Sequence, residues 1–273
     1  MSVKIGISIA PLNALSSAFV VLRGIEESIP KIAKLGYDGA EISLYNSSQI
    51  NIPHVKKLLN EYGLSVPTIT TGQVFAQLGV YFTSPDRHIR TQAQEAFKGL
   101  IEVAAEFGSM INIGRIRGTI DLGQTNEDAE QNFIESANLM CDYAENFSVT
   151  LILEPVNRYE INYINNVSEG AALIKKIGRP NMKLMPDLFH MNIEDQSIVG
   201  SLVKYIDDIA YIHVADSNRY APGQGHIPFC DVIDTLKALN FNGWITAETL
   251  PYPDPYSAAA QAIAYLRTFY PCQ

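Results

Sequence analysis

Carboxylates and an imidazole end four apolar segments in the second half of the chain. Glu154 ends the run TLILE, Asp187 lies in MPDLFH, His213 in YIHVAD and Glu248 in ITAETL. A carboxylate at the end of a leucine-rich and β-branched run is costly to desolvate unless a cation or hydrogen-bond donors compensate. Either an arginine such as Arg158 pairs with Glu154, or a metal ion lies beside it.

The repetition of this pattern favours the metal ion. A single acid of this kind is usually a structural ion pair, but four ligand-type side chains at equivalent positions of four successive segments are hard to attribute to packing. Three carboxylates and one imidazole form an oxygen-rich site that suits Mn²⁺, our first expectation, with Mg²⁺, Co²⁺ and Zn²⁺ as alternatives. A divalent ion would also offset the mutual repulsion of the acids.

The elements that must position these residues alternate along the whole chain. Eight short β-rich runs are followed by longer amphipathic runs in which apolar residues recur at intervals of three and four; the first such run is predicted to begin at Val21. The predicted strands are Lys4 to Ala10, Gly39 to Leu44, Ser65 to Thr71, Met110 to Ile116, Thr150 to Val156, Met182 to Leu188, Ala210 to Ala215 and Trp244 to Thr249.

Eight βα units without a glycine-rich dinucleotide fingerprint or a linker predict an α/β protein with a (β/α)8 TIM barrel, and not a doubly wound sheet. We expect residues 1–273 to form a single domain of this kind. The carboxyl ends of barrel strands converge on one face, where active sites are built. Function should therefore be visible in the side chains at the strand ends.

Polar residues also occur on the second strand and at the end of the third. Glu41 is either a polar group that closes the barrel or an acid behind the ligands. Thr70, Thr71 and Gln73 offer hydroxyl and amide groups suited to a polyol.

Two arginines follow the fourth strand. Arg115 and Arg117 share a face if the strand continues, and Arg117 near the mouth is predicted to bind a substrate carboxylate or phosphate. A salt bridge to a neighbouring acid is the alternative. If Arg117 reaches the pocket, a keto-sugar acid joins a neutral ketose among the candidate substrates. The glycines of the loop PGQGHI are best explained by a plain loop turn, and His226 in that loop is a candidate contact for the distal hydroxyls.

Composition narrows the function classes. The chain has 273 residues, 47% of them hydrophobic and 18% charged, and a formal net charge of −9, which argues against nucleic acid or an anionic membrane as the main partner. No signal peptide or apolar run of about 20 residues is recognisable, so we expect a cytoplasmic location. Cys141, Cys230 and Cys272 lie far apart without a CxxC pair, as expected of reduced thiols.

Several motifs resemble one known family. The segments EPVNRYE, PDLFHMNIED, HVADSNR, PGQGHI and AETLP resemble the sugar phosphate isomerase/epimerase superfamily with xylose-isomerase-like barrels. Within it, they are most similar to ketose 3-epimerases of the tagatose or allulose type. The likeness spans essentially the whole chain and is sharpest from Glu154 to Glu248.

The resemblance implies roles for individual residues. It implies a single divalent metal, typically manganese, cobalt or magnesium, held by Glu154, Asp187, His213 and Glu248. It also implies that the hydroxyl and carbonyl oxygens at the reacting end of a small sugar are held by Glu160, His190 and Arg219.

The chemistry follows from the positions of the two glutamates. A metal bound to a ketone oxygen acts as a Lewis acid for the enediolate that forms when a neighbouring proton is removed. Glu154 and Glu248 come from the fifth and eighth strands, on opposite sides of a barrel mouth. We therefore predict a metal-dependent epimerase of a ketose or keto-sugar acid, in which one glutamate removes the C3 proton and the other returns it to the opposite face.

Alternatives from the same and other classes stay open. Aldose–ketose isomerases, hydroxypyruvate isomerases and keto-inositol dehydratases share the metal set. Endonucleases for abasic DNA use additional histidines for three zinc ions, whereas this chain has five histidines in all. A non-catalytic sugar-binding barrel would need no opposed acids. Apolar exterior stretches such as the C-terminal YLRTFYPCQ could support a homo-oligomer.

Overall fold

The computed structural model describes residues 3–15 and 19–271 of the chain. The strands in these residues are β1 Lys4–Ala10, β2 Leu22–Arg23, β3 Gly39–Ser43, β4 Thr68–Thr70, β5 Met110–Ile113, β6 Leu151–Leu153, β7 Met182–Leu184, β8 Tyr211–Val214 and β9 Trp244–Ala247. The α-helices are α1 Ile25–Leu35, α2 Ile52–Tyr62, α3 Gly72–Leu78, α4 Arg87–Phe107, α5 Asn126–Glu145, α6 Val167–Ile177, α7 Leu188–Glu194, α8 Ile198–Tyr205, α9 Phe229–Ala238 and α10 Pro255–Phe269.

Eight of the strands form one parallel sheet. Their order is β7, β6, β5, β4, β3, β1, β9, β8, and the short β2 pairs with β1. Isolated parallel bridges join Leu184 to Ile209 and Asp187 to His213, so the strands at the two ends of this order also meet. The sheet is thus a nearly closed barrel with helices between its strands, and the predicted TIM barrel is confirmed.

The barrel separates two cores. Leu151 and Leu153 of β6 pack in the main core between sheet and helices, whereas Ile152 belongs to a smaller cluster with Met185 and Tyr211. Successive strand residues point to opposite faces, so the smaller cluster fills the barrel interior. The residues two positions further along the chain from these three interior residues are Glu154, Asp187 and His213.

Several strands end earlier than predicted. Strand β6 ends at Leu153 and not at Val156, because Pro155 has no N–H for the ladder. Strand β7 ends at Leu184, since Asp187 already caps α7 by accepting a hydrogen bond from the Phe189 amide. These early ends bring the polar residues out of the sheet and into the mouth of the barrel.

The helices that differ from the prediction also lie near the mouth of the barrel. The first helix begins at Ile25 and not at Val21, because Leu22 and Arg23 pair with β1 instead. The short helices α3 and α7, in loops that follow barrel strands, were not predicted.

Two further expectations concern thiols and membranes. Cys141 is buried and Cys230 exposed, both as free thiols, and Cys272 lies outside the described residues. In residues 3–15 and 19–271 no helix combines the length and the apolar character needed to cross a membrane.

Candidate metal centre and active site

Four side chains from the carboxyl ends of β6 to β9 meet at one point. Glu154 and Glu248 each lie one residue beyond a strand, Asp187 lies beyond β7, and His213 lies within β8. Each offers one ligand atom, and the four atoms lie within 4.8 Å of one another. The structure therefore brings together all four residues predicted to bind metal, which form the acid–imidazole cluster.

The ring of His213 is held from behind by Glu41. Nε2 of His213 donates to Oε2 of Glu41 over 2.7 Å, and both side chains are fully buried. The other nitrogen, Nδ1, lies 3.4 Å from Oε1 of Glu154 and 3.9 Å from Oε2 of Glu248. Because the Nε2 proton is used by Glu41, the neutral ring has its lone pair on Nδ1, the nitrogen that faces the cluster. Glu41 is thus an acid behind the ligands, one of its two expected roles.

The carboxylates are anchored by one oxygen each. Asn112 donates to Oε2 of Glu154 over 3.0 Å, and the amide of Phe189 donates to Oδ1 of Asp187 over 2.9 Å. In the described part of the chain, Oδ2 of Asp187 and Nδ1 of His213 are buried without a hydrogen-bond partner. Buried atoms of this type normally have a hydrogen-bond partner. These two atoms are therefore available to bind a cation.

The pKa values of the buried carboxylates also favour a cation in the cluster. Burial raises the pKa of Asp187 to about 6 and that of Glu248 to about 8. Burial also works against ionised Glu154, but a proton on His213, which the acids around the ring favour, lowers the pKa of Glu154 to about 2. The protein alone thus does not favour three ionised carboxylates here, whereas a divalent cation would stabilise all three. Three carboxylate oxygens and one imidazole nitrogen could hold a metal ion.

Arg219 connects the cluster to the rest of the pocket. Its Nη2 donates to Oε2 of Glu248 over 2.8 Å and its Nη1 to Oε1 of Glu160 over 2.7 Å. The guanidinium carbon lies 3.6 Å from the ring centroid of Phe19 and 4.7 Å from that of Phe189, within the range of cation–π attraction. Two acids and two aromatic rings therefore fix the position of this arginine.

His190 presents an N–H group to the cluster. Nδ1 of His190 lies 2.7 Å from Nδ2 of Asn157, and this amide nitrogen also donates to Oε1 of Glu160. An amide nitrogen can only donate, so Nδ1 accepts and Nε2 carries the ring proton. Nε2 lies 3.6 Å from Oδ2 of Asp187 and 3.9 Å from Oε1 of Glu154. Burial lowers the pKa of His190 well below its usual value, which keeps the ring neutral.

A pocket above the cluster contains all three residues predicted to hold the reacting end of a sugar, Glu160, His190 and Arg219. Thr70 and Gln73 also line it, as the sequence suggested. Thr71 does not contribute, because its hydroxyl donates to the carbonyl oxygen of Asn112.

The prediction for Arg117 is wrong. Arg117 is 0% exposed, and its guanidinium donates to the carbonyl oxygens of Gly114, Glu154, Tyr163 and Ile164 over 2.6–3.1 Å. These hydrogen bonds hold the loop after β6 in place, and the guanidinium is not available to a ligand. Burial lowers the pKa of Arg117 to about 10, and the four carbonyl oxygens replace the solvent that it has lost.

Two other sequence candidates also lie outside the pocket. His226 is exposed and its Nδ1 lies 2.8 Å from the hydroxyl of Ser217, so the expected contact with distal hydroxyls is wrong for this arrangement. Arg158 forms its ion pair with Glu194 at 2.6 Å. Arg158 is therefore not the partner of Glu154, in agreement with the metal hypothesis.

Some residues of the site were not singled out from the sequence. Asn112, which anchors Glu154, lies on β5, and a polar residue in an apolar strand was a usable signal. Arg115 lines the pocket in place of Arg117. Phe19 and Asn157 lie in loops, where no periodicity marks a side chain as facing the site.

The remaining histidines give no support for further metal ions. His54 and His88 lie on the outer helices α2 and α4 and are exposed. Among the residues that the structure describes, the acid–imidazole cluster is the one group of three or more ligand-type side chains close enough to hold a metal. A site for three zinc ions, as expected of an abasic-site endonuclease, is therefore not formed by these residues.

Comparisons with known proteins agree with this geometry. The family model described as xylose isomerase-like TIM barrel matches residues 29–269. An L-ribulose 3-epimerase of Methylomonas sp. (strain DH-1) is 31% identical over 232 residues, which cover 83% of this chain and 78% of the relative. A 3-dehydro-D-guloside 4-epimerase of Escherichia coli (strain K12) is 27% identical over 253 residues, covering 89% of this chain and 94% of the relative.

A solved structure shows the same architecture. The crystal structure of a 3-keto-D-glucoside 4-epimerase from E. coli in its apo form superposes with a TM-score of 0.82 at 25% sequence identity. The superposition covers 98% of this chain and 100% of the other.

Proposed function

Because the chain belongs to the xylose isomerase-like TIM barrel family, we propose that it is a metal-dependent epimerase that inverts the carbon next to a ketose carbonyl. The family predicted from the sequence motifs is confirmed, and the chain is an enzyme of the isomerase class, with sugar epimerases as curated relatives. The finer statements concern the metal, the two glutamates and the position of the inverted carbon.

The proposed metal ligands are the four residues of the acid–imidazole cluster. The ligand set is rich in oxygen, which favours Mn²⁺, with Mg²⁺, Co²⁺ and Zn²⁺ as alternatives. When bound, a divalent ion supplies a Lewis acid that polarises the ketone carbonyl and stabilises the negative charge of the enediolate.

The observation that supports the proposal is that two carboxylates from non-adjacent strands lie beside the same imidazole nitrogen. Glu154 follows β6 and Glu248 follows β9, with β7 and β8 between them, and their carboxylates lie 3.4 and 3.9 Å from Nδ1 of His213. A sugar bound between them presents one face to each glutamate. One glutamate removes the proton from C3 of the ketose, and the other donates a proton to the opposite face.

Neighbouring residues keep these groups in position. Asn112 fixes Glu154 through one oxygen, and Arg219 fixes Glu248 through another. The Nε2–H of His190 is available to donate to a substrate oxygen. The rings of Phe19 and Phe189 cover Arg219 and limit the access of water to it.

A second candidate is inversion at C4 of a 3-keto sugar. The 3-dehydro-D-guloside 4-epimerase described above is matched over more of its own length than the L-ribulose 3-epimerase. In a 3-keto sugar, C4 is again next to the carbonyl. The same two glutamates would act, so the candidates differ only in how the sugar is placed. The carbon that acquires deuterium from deuterated water distinguishes them.

The test replaces each glutamate by its amide. We expect Glu154→Gln and Glu248→Gln each to lower epimerisation by about 10²- to 10⁴-fold, the usual contribution of a positioned acid or base. The remaining glutamate should still exchange the proton of one epimer with deuterated water, and the two variants should exchange opposite epimers.

The control is Glu61→Gln, a change of an exposed residue on α2, and bound metal is measured in every variant. A Glu154 or Glu248 variant that retains metal and turns over near the wild-type rate contradicts the two-glutamate mechanism.

A further inference from the structure

Arg115 lies where the chain turns from β5 into the mouth of the barrel. Gly114 precedes it, and a Cβ at Gly114 would lie 2.9 Å from Oε2 of Glu154, so a larger residue there would require this carboxylate to shift. The next three residues, Arg115–Arg117, form a 3-10 turn. This turn buries Arg117 beneath the loop and leaves Arg115 half-buried in the pocket wall.

The guanidinium of Arg115 differs from the others near the site because no acid in residues 3–15 and 19–271 forms an ion pair with it. Arg219 is paired with Glu160 and Glu248, and Arg117 donates to four carbonyl oxygens. For Arg115, the contact found among the described residues is with the ring of Phe19, at 6.0 Å from its centroid, without an ion pair or a side-chain hydrogen bond.

Arg115 also belongs to a different part of the pocket lining from the acid–imidazole cluster. The acid–imidazole cluster is built from β6 to β9, whereas Arg115 belongs to the wall formed after β3, β4 and β5, together with Ser43, Thr70 and Gln73. A sugar whose carbonyl end lies at the cluster would extend its hydroxyls along this second wall. Its far end would then reach a guanidinium with unused donors.

We propose that Arg115 binds an anionic group, a carboxylate or a phosphate, at the end of the sugar remote from the carbonyl. The substrate is then an anionic keto sugar and not a neutral ketose. A planar guanidinium holds either anion through two parallel hydrogen bonds. This inference rests on the proposed epimerase function, whose site it deepens by naming the substrate class.

The first experiment measures binding without turnover. Gluconate, glucitol 6-phosphate and glucitol share a six-carbon chain with a carboxylate, a phosphate or neither, and none has a ketone. Calorimetric titration of the metal-loaded wild-type protein should give at least one anion a dissociation constant about 10- to 100-fold below that of glucitol. Whether gluconate or glucitol 6-phosphate binds more tightly identifies the anion.

Variants assign the preference to one residue. Arg115→Gln should lower the ratio of anion to glucitol affinity by about 10- to 100-fold, and Arg87→Gln, at an exposed arginine on α4, should leave the ratio unchanged. Equal affinity of the wild type for all three probes, or an anion preference that survives Arg115→Gln, overturns the proposal.

The kinetic experiment separates this proposal from the epimerase function. On matched neutral, carboxylated and phosphorylated ketoses, Arg115→Gln should raise KM for the anionic substrate more than it lowers kcat. If ketoses are epimerised without any anion preference, only the role of Arg115 fails. If no ketose exchanges a proton but gluconate or glucitol 6-phosphate still binds through Arg115, the epimerase function fails and the anion site stands.

Discussion

Glu41 and His213 form a fully buried pair whose effect reaches the cluster through the imidazole ring. The 2.7 Å hydrogen bond to Nε2 selects the ring form in which Nδ1 has a free lone pair. The carboxylate also makes the ring a stronger electron donor. Glu41 therefore positions a ligand without belonging to the cluster itself.

We predict that Glu41→Gln lowers the affinity for a divalent metal by about 10- to 100-fold, as is usual for residues that support a metal-bound histidine. The amide has no charge, and its nitrogen can also turn toward the ring. Competition with a fluorescent chelator measures the affinity directly, with Glu61→Gln as the matched control. An unchanged dissociation constant for Glu41→Gln would mean that Glu41 serves only the packing of the barrel.

Arg115 and Arg117 show where the two-residue alternation of a strand stops predicting which side chain faces the pocket. The prediction for Arg117 assumed that β5 continues, with both arginines on one face. The strand ends at Ile113 and the chain enters a 3-10 turn, so the two-residue alternation no longer applies. The sequence indicated an arginine near the mouth, but the backbone turn that places Arg115 and not Arg117 in the pocket lining was not visible in the local pattern.

At the scale of elements, the loop after β8 is organised by Asp216. Its carboxylate accepts hydrogen bonds from the amides of Ser217, Gly223 and Ile227 at 2.7, 2.8 and 3.1 Å. A side chain at Gly225 would collide with this carboxylate. The glycines of PGQGHI therefore allow the loop to wrap around an acid, which accounts for the motif without a role for His226.

We predict that Asp216→Asn lowers the free energy of unfolding by about 2 kcal/mol near neutral pH, because an amide nitrogen would face backbone N–H donors. Burial raises the pKa of Asp216, but the backbone hydrogen bonds outweigh it and lower the pKa below its usual value. A depressed folded-state pKa contributes stability above the unfolded-state pKa, and this contribution is lost as the pH falls through the folded-state pKa.

Urea unfolding of the wild type and the variant over a pH series measures this difference. The gap should be largest near neutral pH and should close in acid, whereas Asp234→Asn, at an exposed position on α9, should show little change. A gap that is constant with pH would mean that the charge of Asp216 does not hold the loop.

The convergence of the side chains that follow the barrel strands was the most predictable feature of the fold. Inside a barrel every second strand residue faces the interior, so the side chains that follow Ile152, Met185 and Tyr211 by two positions must gather at the mouth. The sequence prediction used the convergence of the strand ends, and the structure brings Glu154, Asp187 and His213 together. The loops are different, because Phe19, Asn157 and the helix that carries His190 are positioned by contacts between distant segments.

At the scale of the molecule, the barrel concentrates acidic groups that oppose one another. Glu41, Glu154, Asp187 and Glu248 are largely buried within one end of the fold. Burying like charges lowers stability unless a cation compensates. The folded protein should therefore depend on a divalent ion for part of its stability.

We predict that saturating Mn²⁺ raises the melting temperature by several degrees and that a chelator reverses the change. A ligand at 100 times its dissociation constant stabilises the folded state by about 2.7 kcal/mol. Asp187→Asn should abolish most of the rise, while Asp234→Asn should retain it. Differential scanning calorimetry provides the measurement, and an identical melting temperature with and without every divalent ion tested would contradict a metal in the cluster.

In the proposed reaction, two opposed glutamates invert the carbon next to a ketose carbonyl. The most direct measurement is proton NMR of ketoses incubated with the metal-loaded enzyme in deuterated water, recorded after removal of the metal. We expect deuterium at C3 together with the appearance of the C3 epimer. Deuterium at C1 with formation of an aldose, or no exchange with any neutral or anionic ketose, would contradict the proposed reaction.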